Sequence, residues 1–299
     1  MSGNIIRILV VGCGLMGTSL ALRWKESTTL HVRLTGVEPC QGHRQALLSC
    51  GAFDDVYASL EALSETEQNL QKFDYAVLAT PVTAACEILE RVQKISTWMM
   101  DICSVKTSVC QTASHLGLFE TFLPAHPMAG LAQEGPLAAH PKLYEGTHFL
   151  YIESWPAIHA WRPLLEETGA ELFSMPSAEE HDRAMSVVSH SIHVTSLALM
   201  NMYGSMVKEA ENSYRGSGQA KLHSVTGPAF RDLTRLAASP IEFWADTLLE
   251  NASHTSDALC AITRQMGRFQ VALANRDRGA LVELLKEAKN TRQEWEGEH

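Results

Sequence analysis

The sequence predicts an α/β protein: a doubly wound parallel sheet over residues 1–175, followed by an all-α domain over residues 176–299. Three observations predict it. Short β-like runs alternate with helical patterns through the first half, the signature of parallel strands joined by crossover helices. A glycine-rich turn, GCGLMG at residues 12–17, directly follows the first apolar run, IRILVV. After about Ser177 the strand signals stop and nearly everything reads as helix.

The elements follow in order. IRILVVG reads as a strand and LMGTSLALRWKE as a helix. HVRLTGVE is a second strand, followed by the helical QGHRQALLSC. DYAVLATP is a third clear strand, ending at Pro81; TAACEILERVQ is helical, and STWMMDI is a strand again. HFLYIE and ELFSM read as later strands flanking a helix around WPAIHAWRPLLEET. From Met185 to Val207 the chain is apolar nearly all the way round, interrupted by His190, His193 and several serines. A helix without a polar face is expected to be enclosed by its neighbours and by a second subunit. The stretch ALVELLKEAKNTRQEWE is amphipathic, with Glu-to-Lys pairs at helical spacing. No internal repeat or Pro-rich linker separates the halves.

Composition narrows the function. At 45% apolar and 19% charged the chain can bury a sizeable core. The net charge of -10, with no block of Lys and Arg, argues against nucleic acid or an anionic membrane as partner. An anionic small molecule stays open, because one or two arginines reverse the field inside a cleft. The seven cysteines are scattered and never spaced as C-x-x-C, which fits a reducing compartment. No apolar stretch is long enough to span a bilayer, and the N-terminal run lacks the flanks of a signal peptide. A cytoplasmic protein is expected.

The glycine turn fits a dinucleotide. Gly12 permits the bend, Gly14 lets the backbone approach a pyrophosphate, and Gly17 lets the helix pack closely on the strand. Leu15 and Met16 complete the turn, and the helix N-terminus offers free N–H groups to phosphates. Alone, the motif reads equally well as a tight strand-to-helix connection. The preceding strand, the following helix and Glu38, about 20 residues on, make it a Rossmann-type site. A carboxylate at Glu38 accepts hydrogen bonds from ribose hydroxyls and repels a 2′-phosphate, so NAD is favoured over NADP. Arg44, a few residues later, reads as a solvated helix residue. Thr80 and Pro81, at a strand end, are expected to form a loop over the cofactor. Ser104 in DICSVK and His126 in LPAHPMAG occupy later strand ends, facing the nicotinamide end. On position alone, Ser104 reads equally as a helix cap and His126 as a loop histidine before Pro127.

At these residues the chain resembles a known family. GCGLMG, LATP, DICSVK, HPMAG, HDRAMSVVSHSIH and GPAFRDLTRLAASPIEFW occur in that order. Together they resemble the prephenate/arogenate dehydrogenase family of tyrosine biosynthesis, over nearly the whole chain. The resemblance implies that His126 is the catalytic hydrogen-bond acceptor. It implies that Ser104 bridges that histidine, the substrate hydroxyl and the nicotinamide. His193 and His181 are implied to lie in the substrate pocket, Arg235 to grip a substrate carboxylate, and Trp244 to stand near by. The family's SHLPH is SHSIH here, which keeps both histidines and loses a proline. The GLAQEG after HPMA also departs from several family variants.

The implied chemistry needs such residues. Prephenate carries two carboxylates, which a guanidinium binds bidentately, and a ring hydroxyl whose proton a neutral imidazole accepts. The expected substrate is a small dicarboxylate and the expected assembly a homodimer through the helical domain. No metal site is expected: His181, His190 and His193 have no carboxylate or cysteine completing an obvious ligand set. Three rival readings remain. A β-hydroxyacid dehydrogenase would need a lysine in its central helix, and Met185–Val207 has none. An NAD-binding sensor would not need His126, Ser104 and Arg235 together. Arogenate differs from prephenate by an ammonium in place of a keto group.

Overall fold

The computed structural model describes residues 5–66, 71–131, 133–213 and 225–297. Its centre is an eight-stranded sheet in the order β3-β2-β1-β4-β5-β6-β7-β8. The strands are β1 (Ile6–Val11), β2 (Val32–Val37), β3 (Asp55–Tyr57), β4 (Phe73–Leu78), β5 (Ser96–Asp101), β6 (Phe122–Pro127), β7 (His148–Ile152) and β8 (Glu171–Met175). The order reverses direction between β1 and β4, which opens a crevice outside their carboxyl ends.

Alternation along each strand builds a core on both faces. Ile8 and Val10 of β1 join one cluster, with Trp24, Leu34 and Trp161. Leu9 and Val11 join the other, with Leu63, Leu89 and Phe122. The first face is covered by α1 (Leu15–Lys25), α2 (Gln41–Cys50) and α6 (Ile158–Glu166); the second by α3 (Leu60–Thr66), α4 (Val82–Ile95) and α5 (Thr107–His115). The indole N–H of Trp24 donates to the Leu164 carbonyl (2.8 Å) and that of Trp161 to the Met99 carbonyl (3.2 Å). Both rings are therefore satisfied as well as buried, and truncating either to Ala should cost about 3–5 kcal/mol.

The structure departs from the sequence reading in three places. Strand β3 and helix α3 went unread, because three residues at a sheet edge carry too few positions for a periodicity. Strand β7 runs antiparallel to β6, with His126 opposite Leu150. The connection between them contains only a short 3-10 turn, Pro136–Ala138, and, among the described residues, no crossover helix to carry the chain to the other end of the sheet. The stretch Met185–Val207 stays helical but is not uniform, and the single chain covers only part of its apolar surface. It comprises the end of α7 (Ala178–Met185), a π-helical turn (Ser186–His190) and most of α8 (Ser191–Ser213). Val187, Val188, Ile192, Met202 and Met206 are exposed in the single chain.

Two compact units result, Met1–Asn251 and Ala252–His299. The first holds the sheet together with α7, α8, α9 (Pro228–Thr234) and α10 (Ile241–Glu250). The second is a helical hairpin of α11 (Ala252–Ala274) and α12 (Arg278–Gly297), clamped by the fork of Arg268 on the Glu287 carboxylate (3.2 and 2.8 Å).

Candidate active site

The glycine turn has the geometry its residue types suggest. Gly12 lies at φ +92, and a Cβ there would stand 2.4 Å from the Ala79 carbonyl oxygen. A Cβ on Gly17 would stand 2.2 Å from the Gly12 carbonyl oxygen, so this glycine lets α1 press against the turn. A Cβ on Gly14 would meet nothing within 4 Å: the space is open for a ligand. No side chain caps the N-terminus of α1, leaving its first N–H groups available to phosphate. Leu15 is buried beneath the turn, and the carbonyl of Met16 accepts a hydrogen bond from the Tyr144 hydroxyl (2.7 Å). Glu38, just beyond β2, is buried; Oε2 accepts from the Cys13 N–H (3.0 Å) and Oε1 from the Cys40 N–H (2.9 Å). Each carboxylate oxygen keeps a lone pair for a ribose hydroxyl. Thr80 and Pro81 lead from β4 into α4, and the Thr80 carbonyl contacts the Cys103 thiol (3.5 Å). The loop after β4 thus touches the loop after β5 that carries Ser104.

His126 stands at the carboxyl end of β6, half-buried. Its Nδ1 lies 3.0 Å from Nε2 of His181, whose Nδ1 lies 2.8 Å from Oδ1 of Asp182. The Asp182 carboxylate also accepts from the backbone N–H of Lys106 (2.7 Å) and of Thr107 (2.8 Å). Burial pushes its carboxyl up, but the hydrogen bonds from His181, Thr107 and Lys106 outweigh this and hold it below the usual range. An ionised Asp182 accepts only. His181 must therefore donate from Nδ1 and accept at Nε2, and His126 must donate from Nδ1. That leaves Nε2 of His126 as a free lone pair. Burial, then the neighbouring charges of His181, Lys106 and His190, hold His126 well below its ordinary value. It is a neutral base at neutral pH.

Lys106 organises this corner. It is fully buried, its ammonium paired with the Asp101 carboxylate and donating to the Ala125 carbonyl (2.7 Å), next to His126. Burial pulls Lys106 down, yet Asp101 outweighs it and keeps the ammonium charged. One residue thus fixes β6 by its side chain and Asp182 by its backbone. Asn251 adds a second brace, donating to the Asp182 carbonyl (2.7 Å) and lying 3.0 Å from Nδ1 of His190.

A second cluster lies along α8 and α10. The rings of His193 and Trp244 stack at 3.6 Å and 10°, with His190 edge-on to Trp244 at 6.0 Å. Burial lowers His193, and pulls His190 down to about 4. His193 Nδ1 and Ser196 Oγ are buried with no hydrogen-bond partner among the described residues.

Of the residues singled out in the sequence, the structure joins His126 with His181, and His193 with Trp244. Ser104 is half-buried two residues before Lys106 and makes no hydrogen bond to His126 among the described residues. Arg235 is exposed in a 3-10 turn, Arg235–Ala238, packed on α8, without an ion-pair partner among the described residues. Arg44 is not simply solvated: its guanidinium donates to the carbonyls of Glu38 (2.8 Å) and Pro39 (2.7 Å). Of GLAQEG, Ala132 lies outside the described residues. Sequence reasoning missed Asp182, Lys106, Asp101 and Asn251. The first three were within the quoted H-D and DICSVK segments; their signal was a charge inside a motif, readable only once burial is known.

A neutral imidazole base and a glycine turn at the same carboxyl edge of a doubly wound sheet are the parts a dinucleotide-dependent dehydrogenase requires. Comparison with known proteins makes the assignment particular. A family model described as "Prephenate dehydrogenase, nucleotide-binding domain" matches residues 20–172, and one described as "Prephenate dehydrogenase, dimerization domain" matches residues 177–287. The chain belongs to the prephenate dehydrogenase family. It is 28% identical to a prephenate dehydrogenase of Bacillus subtilis over 294 residues, covering 95% of this chain and 75% of that one. It is 25% identical to a cyclohexadienyl dehydrogenase of Zymomonas mobilis, covering 98% and 97%. A prephenate dehydrogenase from A. aeolicus, solved in complex with hydroxyphenyl propionate and NAD+, superposes with a TM-score of 0.82 at 25% identity, over 98% of this chain and 99% of that one.

Proposed function

We propose that the protein catalyses the NAD-dependent oxidative decarboxylation of prephenate to 4-hydroxyphenylpyruvate. One observation carries the proposal: the hydrogen-bonded chain His126–His181–Asp182 presents an unprotonated imidazole nitrogen at the same sheet edge as the nucleotide turn. Family membership and the relatives above support the substrate and the cofactor. The residues present fit NAD: the open space at Gly14, the uncapped helix N-terminus and the Glu38 carboxylate suit pyrophosphate and ribose diol. When bound, NAD supplies the hydride acceptor.

The chain's own work concerns the proton and the carboxylates. Nε2 of His126 takes the proton of the C4 hydroxyl as that carbon is oxidised. His181 and Asp182 stabilise the imidazolium without moving. CO₂ departs from C1 and leaves its bonding electrons in the ring, which becomes aromatic. The ring oxygen then takes the proton back from His126, so no net proton is lost. Ser104, on the neighbouring strand end, orients the hydroxyl. Arg235 holds a substrate carboxylate, and His193 and Trp244 form the far wall. Residues 1–175 serve the nucleotide, and residues 176–299 serve the substrate and a homodimer contact. The dimerization-domain match and the exposed apolar side chains of α8 support the homodimer. Among the described residues no helix is long and apolar enough to cross a membrane. The scattered spacing of the seven cysteines fits work in a reducing cytoplasm.

The test is direct. Protein mixed with NAD and prephenate should generate NADH with release of CO₂. No turnover with either prephenate or arogenate would remove the proposal, and a preference for arogenate would move it to that substrate. His126→Asn should lower kcat by about 10²–10⁴-fold with little change in KM or NAD affinity.

A further inference from the structure

Beside the nucleotide turn, Glu38 of the cofactor site stands with two side chains that the dehydrogenase reaction does not use, Cys40 and His43. Glu38, Cys40 and His43 form a run Glu-x-Cys-x-x-His at the junction of β2 and α2. One ligand atom from each lies within 4.8 Å of the others. The local fold explains the convergence. Cys40 is the residue preceding the first turn of α2, and His43 stands three positions on, so both share one face. Glu38 is turned toward that face by the N–H groups of Cys13 and Cys40. His43 points Nδ1 at Glu38 Oε1, 3.6 Å away, while its Nε2 side packs over Gly135. The imidazole is thereby oriented with Nδ1 inward. Arg44 does not compete, since its guanidinium is committed to the carbonyls of Glu38 and Pro39.

We propose that Glu38, Cys40 and His43 bind a divalent cation of borderline softness, Zn²⁺ or Co²⁺, and that its occupation excludes NAD. Thiolate, imidazole and carboxylate are the donor set such ions select, and Mg²⁺ or Ca²⁺ would not accept the sulfur. Cys40 is exposed and His43 half-exposed, so both have room to close on an ion, which needs bonds of about 2.0–2.3 Å. A water completes the tetrahedron. Binding displaces the thiol proton into solvent, so affinity rises with pH. The exclusion of NAD rests on the reading of Glu38 as the ribose ligand: a carboxylate held by the ion no longer accepts the ribose hydroxyls. Zn²⁺ then acts as an inhibitor competitive with NAD and indifferent to prephenate.

Co²⁺ reports the site without any catalysis. Titrating it into the full chain without NAD should produce a thiolate-to-cobalt charge-transfer band, absent in Cys40→Ser. No band, or a band unchanged in Cys40→Ser, overturns the site. Zn²⁺ should raise KM for NAD and leave kcat and KM for prephenate unchanged, with full reversal by EDTA. His43→Gln should keep the metal-free rate and weaken Zn²⁺ inhibition by more than about 10-fold, the scale on which lost metal-site contacts act. Equal inhibition of His43→Gln and wild type counts against the site. A band that depends on Cys40, without competition against NAD, supports the ion site and overturns instead the placement of ribose on Glu38.

Discussion

At the scale of single residues, Asp182 carries the most consequence for its size. Three hydrogen bonds meet its carboxylate and the Asn251 amide donates to its carbonyl, and the tautomers of two histidines follow from its charge. Asp182→Asn keeps the shape but offers an amide N–H where His181 needs an acceptor. The chain of donors then no longer leaves Nε2 of His126 unprotonated. We expect kcat to fall on the order of 10²-fold or more with KM for NAD unchanged, and the acid limb of the pH–rate profile to shift. An unaltered profile would mean that the relay only supports the fold. Arg235 offers the complementary test. Its exposed guanidinium has no ion pair to lose among the described residues, so Arg235→Gln should leave the melting temperature nearly unchanged and chiefly raise KM for prephenate. His126 and His181 were visible in the sequence as motif members. Their mutual contact was not, because 55 residues separate them and only β6 and α7 bring them together.

At the scale of elements, the turn from β1 to α1 separates folding from binding. Gly17→Ala drives a methyl to 2.2 Å from a backbone oxygen that cannot move away, so urea unfolding should show a loss of about 1–3 kcal/mol or more. Gly14→Ala meets nothing within 4 Å and should leave the urea midpoint unchanged, yet raise KM for NAD by crowding the pyrophosphate. If both variants lose stability alike, the turn is structural only. This distinction between the glycines was legible in their spacing, because the spacing encodes where a Cβ is forbidden. The π-helical turn at Ser186–His190 was not legible. It widens the helix just where His190 must reach Asn251, a constraint set by a partner 61 residues away.

At the scale of the whole molecule, four histidines make stability depend on pH. His126, His181, His190 and His193 are all held below their ordinary value, burial being the largest cause for each. The unfolded chain therefore binds more protons than the folded one as pH falls below about 6.5. Their contribution is fully present above that pH and is lost progressively toward about 4, where His190 titrates in the fold. Asp182, held low, adds its loss only below the ordinary carboxylate range. Thermal scans from about pH 7 to pH 4.5 should show the melting temperature falling by several degrees, and a flat profile would contradict the neutral imidazoles.

The sequence by itself determined the doubly wound sheet and the glycine turn before Glu38, because periodicity and glycine spacing are local properties of the chain; the family came from the resemblance carried by its ordered motifs, from GCGLMG to GPAFRDLTRLAASPIEFW. Only the tertiary structure decided the antiparallel β7, the compact unit that runs to Asn251, and the brace of Lys106 around Asp182. These depend on which side chains lose water together. A buried ammonium such as Lys106 is tolerable only beside Asp101 and the Ala125 carbonyl, and no window of sequence records how deeply a charge will be buried.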